Sequence, residues 1–209
     1  MRIGIFGGAF NPVHKGHLNL LELLVRINNI DKLLVIPTAD PPHKSDEDFA
    51  DAQDRFNMLE MALNNKDNFN FDVTDRIEIS DIEFKLKGKS YTYNTLKALK
   101  QIYPFDSFFL FMGSDQFLNF TKWYKYKKIL KLTNVIGLIR EEGEADVLRQ
   151  YMIDNKDIFP ENRVGVVVTK PMVVSSTDIR EKVKKGESIA ELVPKEVEEY
   201  ILKKGLYRV

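Results

Sequence analysis

The feature that most constrains this chain is an alternation of two patterns. Short, almost wholly apolar runs at residues 3–6, 32–36, 107–112, 135–139 and 164–168 are the length of a strand. They lack a polar face, as strands covered on both sides do. Between them lie segments with apolar residues at helical spacing: Leu18, Leu21 and Leu24; Ala52, Phe56, Leu59 and Leu63; Leu96, Leu99 and Ile102. Residues 145–155, 176–185 and 194–204 read as further helices, and 69–86 as one or two strands. Strand and helix in alternation predict an α/β fold, a parallel sheet doubly wound by helices on both faces. The chain reads as one domain over 1–209, with a small helical part from about 172 to 209.

Charge and composition remove several classes of function. Lys and Arg total 31, Asp and Glu total 31, so nothing in the net charge points to nucleic acid or a membrane surface. The absence of cysteine excludes a disulfide scaffold, a thiol nucleophile and a Cys-ligated metal. No apolar run is long enough to span a bilayer, and Met1-Arg2-Ile3-Gly4 carries no signal-peptide pattern, so the expected setting is the cytoplasm. The oligomeric state stays open, a homo-oligomer included.

In a doubly wound sheet, ligands bind beyond the carboxyl ends of the strands. The first such loop reads Gly7-Gly8-Ala9-Phe10-Asn11-Pro12-Val13-His14-Lys15-Gly16-His17. It is neither the dinucleotide fingerprint nor a P-loop. What it offers is a glycine turn, where backbone amides can approach an anion, and two imidazoles at the start of a helix. Two surface histidines on an ordinary turn would look the same. A zinc site of His14, His17 and His43 would lack both cysteine and a convincing third spacing. Ser175 through Asp178 matches a helix cap, and Arg180 adds a forked cation one turn on.

The first loop resembles the G-G-T/S-F-D-P-x-H-x-G-H signature of the nucleotidyltransferase superfamily. Pro41-Pro42-His43-Lys44, Ser90-Tyr91-Thr92, Gly113-Ser114-Asp115, Lys122-Trp123-Tyr124 and Ser175-Ser176-Thr177-x-Ile179-Arg180 follow in the order found in bacterial nicotinate-nucleotide adenylyltransferases. That resemblance covers nearly the whole chain and implies a Rossmann-like nucleotidyltransferase fold. It implies adenylyl transfer from ATP to nicotinate mononucleotide, giving nicotinate adenine dinucleotide and pyrophosphate, within NAD biosynthesis. It implies Mg²⁺ carried by the ATP rather than a metal held by the protein. His14, His17, Lys44 and Arg180 become the catalytic set, with His17 chiefly at the α-phosphate. Gly7, Gly8, Ala9, Phe10, Gly113, Asp115, Arg140, Ser175, Ser176 and Thr177 become the ATP site. Thr92, Trp123 and Tyr124 become the pyridine-nucleotide site, with Trp123 stacking on the ring and the Thr92 amide facing the carboxylate.

The chain departs from that pattern at three places. Ala9 stands where Thr or Ser is usual, Asn11 where Asp is usual, and Arg140 is followed by Glu141-Glu142 rather than Pro-Gly. Three other readings share parts of the pattern: a nicotinamide-mononucleotide adenylyltransferase, a phosphopantetheine-type adenylyltransferase, and a nucleotide-binding sensor without catalysis. Ser90-Tyr91-Thr92 and Trp123 speak against the phosphopantetheine type.

Overall fold

Six strands, β1 (Arg2–Gly8), β2 (Lys32–Pro37), β3 (Ile77–Ile79), β4 (Ser107–Gly113), β5 (Asn134–Ile139) and β6 (Val164–Val168), pair into one parallel sheet. Their order is β3-β2-β1-β4-β5-β6. The computed structural model describes every residue except 28–29, 42–48, 140–142, 161–162, 170–171, 173 and 209. β1 pairs with β2 on one side and β4 on the other, so the winding reverses between β1 and β4. That reversal leaves a crevice beyond Gly8 and Gly113, where ligands of such sheets bind.

Nine helices occur among the described residues: α1 (Lys15–Ile27), α2 (Ala52–Asn64), α3 (Ile82–Lys85), α4 (Thr92–Ile102), α5 (Ser114–Leu118), α6 (Tyr126–Leu132), α7 (Glu144–Asp154), α8 (Ser176–Lys184) and α9 (Lys195–Lys204). Strand side chains point alternately to opposite faces, and the core divides accordingly. Leu33 and Val35 join Leu21, Leu24, Met58, Leu59, Ile179, Val197 and Ile201 in one cluster. Leu34 and Ile36 join Leu96, Leu99, Phe117, Ile129 and Leu148 in the other. Each of these side chains, fully buried, contributes roughly 1.5–3 kcal/mol of transfer free energy. The helical part at the C-terminus therefore shares a core with α1 and α2. Tyr200 extends that contact, its hydroxyl donating to Asp54 at 2.7 Å.

Two details refine the sequence reading. Residues 69–86 hold one strand, the three-residue β3, between a 3₁₀ turn at Thr74–Arg76 and α3. Asp72, Thr74, Ser80 and Asp81 break the strand pattern there, since such side chains favour turns over ladders. On α2 the buried face is Arg55, Met58, Leu59, Ala62 and Leu63, whereas Phe56 is half-buried and meets Phe84 edge-on at 5.5 Å. A cation therefore sits on the core side of that helix.

Candidate active site

The turn after β1 is built to hold the two imidazoles together. Phe10 has φ 48°, a left-handed conformation costly for an aromatic residue, and its ring is buried between Phe6 and His17. His14 follows at the cap of α1, with His17 in the first turn. The His14 N–H donates to His17 Nδ1 at 3.3 Å, and the His17 N–H donates to His14 Nδ1 at 3.2 Å. This is a reciprocal cap like Ser/Glu capping boxes, made here by two histidines. The rings stack at 3.6 Å with 20° between planes. Because each Nδ1 accepts, a neutral ring carries its proton on Nε2. The bonding pattern thus assigns both imidazoles the same tautomer.

Gly16 suits this stack. A Cβ there would lie 3.0 Å from the Met172 carbonyl oxygen and 3.1 Å from His14 Nδ1, so a side chain would press the imidazole and the neighbouring backbone aside by a few tenths of an ångström.

The C-terminal motif packs directly on the same turn. Arg180 Nη1 donates to the Asn11 carbonyl at 3.0 Å, Ser176 Oγ donates to the Pro12 carbonyl at 3.0 Å, and Arg180 Nη2 reaches Thr177 Oγ1 at 3.4 Å. Ser175 Oγ accepts the Asp178 N–H at 3.1 Å, capping α8 as the sequence suggests. Arg180 Nε is buried and has no hydrogen-bond partner among the described residues. A buried orphan donor on a guanidinium is costly, and it identifies a place for an acceptor. Ser176 and Arg180 are therefore brought against the histidine turn, with Thr177 bonded to Arg180 and Ser175 capping the same helix, although more than 150 residues separate them from it.

Asn11 shows what its position needs. Its Oδ1 accepts the Ala50 N–H at 3.0 Å and the Tyr207 hydroxyl at 2.8 Å. Both partners are donors, so an amide oxygen serves where a carboxylate is usual. Burial pushes the Tyr207 phenol far above its ordinary range, which keeps the hydroxyl a donor.

The motifs expected to face the pyridine nucleotide gather at the neighbouring strand ends. Beyond β2, the Asp40 N–H donates to Ser90 Oγ at 3.0 Å and the Ser90 N–H donates to the Asp40 carbonyl at 2.9 Å. This fixes the start of α4, where Tyr91 is the cap and Thr92 the first helical residue. Thr92 is thus not the cap, and as first residue its N–H is one that the helix itself leaves unbonded. Tyr91 packs on Tyr124 at 4.6 Å, which brings Trp123 and Tyr124 to the α4 terminus. Trp123 is half-buried and rests on Phe120 at 5.7 Å, while Tyr124 is 44% exposed. The Lys125 ammonium lies 4.6 Å from the Tyr124 ring centre and 4.8 Å from that of Tyr93, and a hydrogen bond to Tyr124 holds its pKa above the ordinary value.

At the end of β4, Gly113 caps α5 and Asp115 lies in its first turn, exposed, so the alternative of Asp115 as that cap does not hold. Gly7 and Gly8 end β1 beside Ile36 and Pro37. Lys44 and Arg140, together with His43, lie outside the described residues. Two participants escaped the sequence reading. Arg55 could have been found as a charge on the buried stripe of a helix; Tyr207 left no local signal.

Residues 5–182 match the cytidylyltransferase-like family model. A protein of Clostridium tetani named "Probable nicotinate-nucleotide adenylyltransferase" is 34% identical over 205 residues, 98% of each chain. One of the same name from Caldicellulosiruptor saccharolyticus is 35% identical over 209 residues, the whole of both chains. This chain belongs to the nicotinate-nucleotide adenylyltransferase family. The fold agrees with that membership. Plasmodium falciparum nicotinic acid mononucleotide adenylyltransferase, solved in complex with NaAD, superposes with a TM-score of 0.80 at 22% identity, covering 99% of this chain and 97% of that one. Like the adenylyltransferase, this chain surrounds a parallel sheet with helices on both faces. Among the described residues of this family member, no helix is long and apolar enough to cross a membrane.

Proposed function

We propose that this chain transfers the adenylyl group of ATP to nicotinate mononucleotide, releasing pyrophosphate and forming nicotinate adenine dinucleotide. The observation that carries the reading is the convergence of two like-tautomer imidazoles and a guanidinium with an unpartnered buried Nε on one turn. Each offers N–H donors and none offers a carboxylate, the chemistry suited to phosphate oxygens.

The reaction asks for little else. The attacking group is a phosphate monoester, mostly dianionic at neutral pH because its second pKa is about 6, so no general base is needed. One of its oxygens attacks the α-phosphorus, and the bond from that phosphorus to the bridging oxygen of the β-phosphate breaks. Pyrophosphate leaves with the electron pair. Catalysis then consists of alignment and of donors placed where negative charge builds up. His17 serves the α-phosphate, while His14, Ser176 and Arg180 serve the rest of the triphosphate. Lys44 and Arg140 extend the set on resemblance alone. Mg²⁺ arrives on the nucleotide and neutralises triphosphate charge; the side chains around the turn are donors and suit the anion rather than the ion. Trp123 offers its face to the pyridine ring, and the terminus of α4 at Thr92 offers an amide to the carboxylate. Asp115 has an acceptor for a ribose hydroxyl.

The test is pyrophosphate release from ATP with each of three acceptors: nicotinate mononucleotide, its amide and phosphopantetheine. Release should be fastest with the acid mononucleotide. Preference for either of the others, or ATP binding with no release from any acceptor, would refute the reading.

A further inference from the structure

Arg55 takes no part in the chemistry described above, yet among the described residues it is the most deeply buried charge, 1% exposed. Among the described residues it has no ion pair. Nη1 donates to the Ala9 carbonyl at 2.7 Å, Nε to the Ala50 carbonyl at 3.1 Å and Nη2 toward the Ala39 carbonyl at 3.5 Å. The guanidinium also lies 4.6 Å from the centre of the Phe49 ring. Burial lowers its pKa but leaves so strong a base protonated. Glu83 and Asp51 act on the guanidinium only from a distance, and burying a charge without a direct ion pair is costly, so a core-facing helix position is filled more cheaply by an apolar side chain. The guanidinium's reach explains its presence better than packing does. It ties together the turn after β1, the segment leaving β2 and the residue that enters α2.

The bond to Ala9 has a directional consequence. The Ala9–Phe10 peptide is trans, so its two polar groups point opposite ways. With the Ala9 carbonyl aimed down at Arg55, the Phe10 N–H is aimed away from it. An anion accepted by that amide would be polarised further by the cation behind the peptide, because bonds in a chain strengthen one another.

We propose that Arg55 is a positioning residue for the triphosphate: from beneath the turn it orients the Ala9–Phe10 peptide, and its charge acts on the bound phosphates through that peptide. This rests on the reading that ATP lies on the turn. A forked, planar cation is needed, since an ammonium cannot meet three carbonyls in those directions.

The experiment compares wild type with Arg55→Lys and Arg55→Met, measuring melting temperature, KM for each substrate, kcat and ATP affinity by calorimetry. In variants that melt as folded proteins, kcat/KM for ATP should fall about ten- to a hundredfold, the loss of one charge-assisted contact. KM for nicotinate mononucleotide should stay within about twofold, and Arg55→Lys should rescue little despite keeping the charge. Folded variants that keep ATP affinity and kcat/KM within threefold overturn the proposal, as does full rescue by lysine. Should neither variant fold, the wild-type protein decides through the Arg55 Nε–H resonance. That signal should exchange slowly and move on addition of ATP; a signal unmoved at saturating ATP overturns the proposal. Calorimetry with ATP alone keeps the two questions apart. If wild type bound ATP but transferred nothing, the reading of the reaction would fail while the role of Arg55 was still measured.

Discussion

The histidine turn after β1 and the aromatic corner beside α4, the proposed phosphate and pyridine sides, are constructed differently. Around the β1 turn the polar groups are buried or half-buried and bonded to the backbone: imidazole to N–H, guanidinium to carbonyl, hydroxyl to carbonyl. Around Tyr124 the groups are aromatic, half-open and held by ring contacts with Tyr91 and Phe120. The first arrangement is rigid before any ligand arrives, and rigid donors are what a transition state with shifting charge rewards. The second offers area and faces, which hold a ground-state ring without discriminating among stages of the reaction. On the proposed function, kcat is set on the first side and KM on the second.

The most damaging way to probe that division is His17→Ala. Removing one transition-state donor should lower kcat by roughly 10²–10³, with KM for nicotinate mononucleotide little changed. Steady-state kinetics on folded protein checks this, and turnover within a few fold of wild type would dissolve the distinction. Arg180→Ala comes next, expected to reduce kcat/KM for ATP about ten- to a hundredfold through the loss of charged hydrogen bonds. On the other side, Trp123→Ala should raise KM for the mononucleotide by about tenfold, since stacking contributes roughly 1–3 kcal/mol, and leave kcat nearly intact. A drop in kcat as large as that of His17→Ala would mean the ring also aligns the attack.

The smallest effects sharpen the comparison at Asn11. Asn11→Leu leaves the Ala50 N–H and the Tyr207 hydroxyl without their acceptor, which should cost about 1–3 kcal/mol for each group in denaturant unfolding. Asn11→Asp retains both bonds and should change stability by less than about 1 kcal/mol, because both partners are donors.

Much of this was legible beforehand, for physical reasons. Strand and helix periods are local, so the sheet and most helices could be read along the chain, down to Pro194 preceding α9 and Gly205 ending it. The histidines and Arg180 announced themselves through motifs that need specific residue types. What could not be read were pairings between distant positions. Nothing near Asn11 indicates that a hydroxyl from Tyr207 will reach it, and nothing near Ala9 indicates a guanidinium beneath. Arg55 could have been suspected from its place on the apolar stripe of α2, but not its partners. In the 69–86 segment a strand was legible but not its brevity, because weak alternation resembles a series of tight turns when Asp, Thr and Ser punctuate it.

The paired imidazoles have a last consequence. Since each ring fastens the other's backbone, neither histidine is an independent contributor, and their deletions should not add. A protein lacking both should be scarcely slower than one lacking either, a coupling that a double-mutant cycle would register as an interaction energy about as large as the effect of either deletion. The first turn of α1 and the charge-stabilising apparatus are then a single object, which chain variation can only keep whole or lose whole.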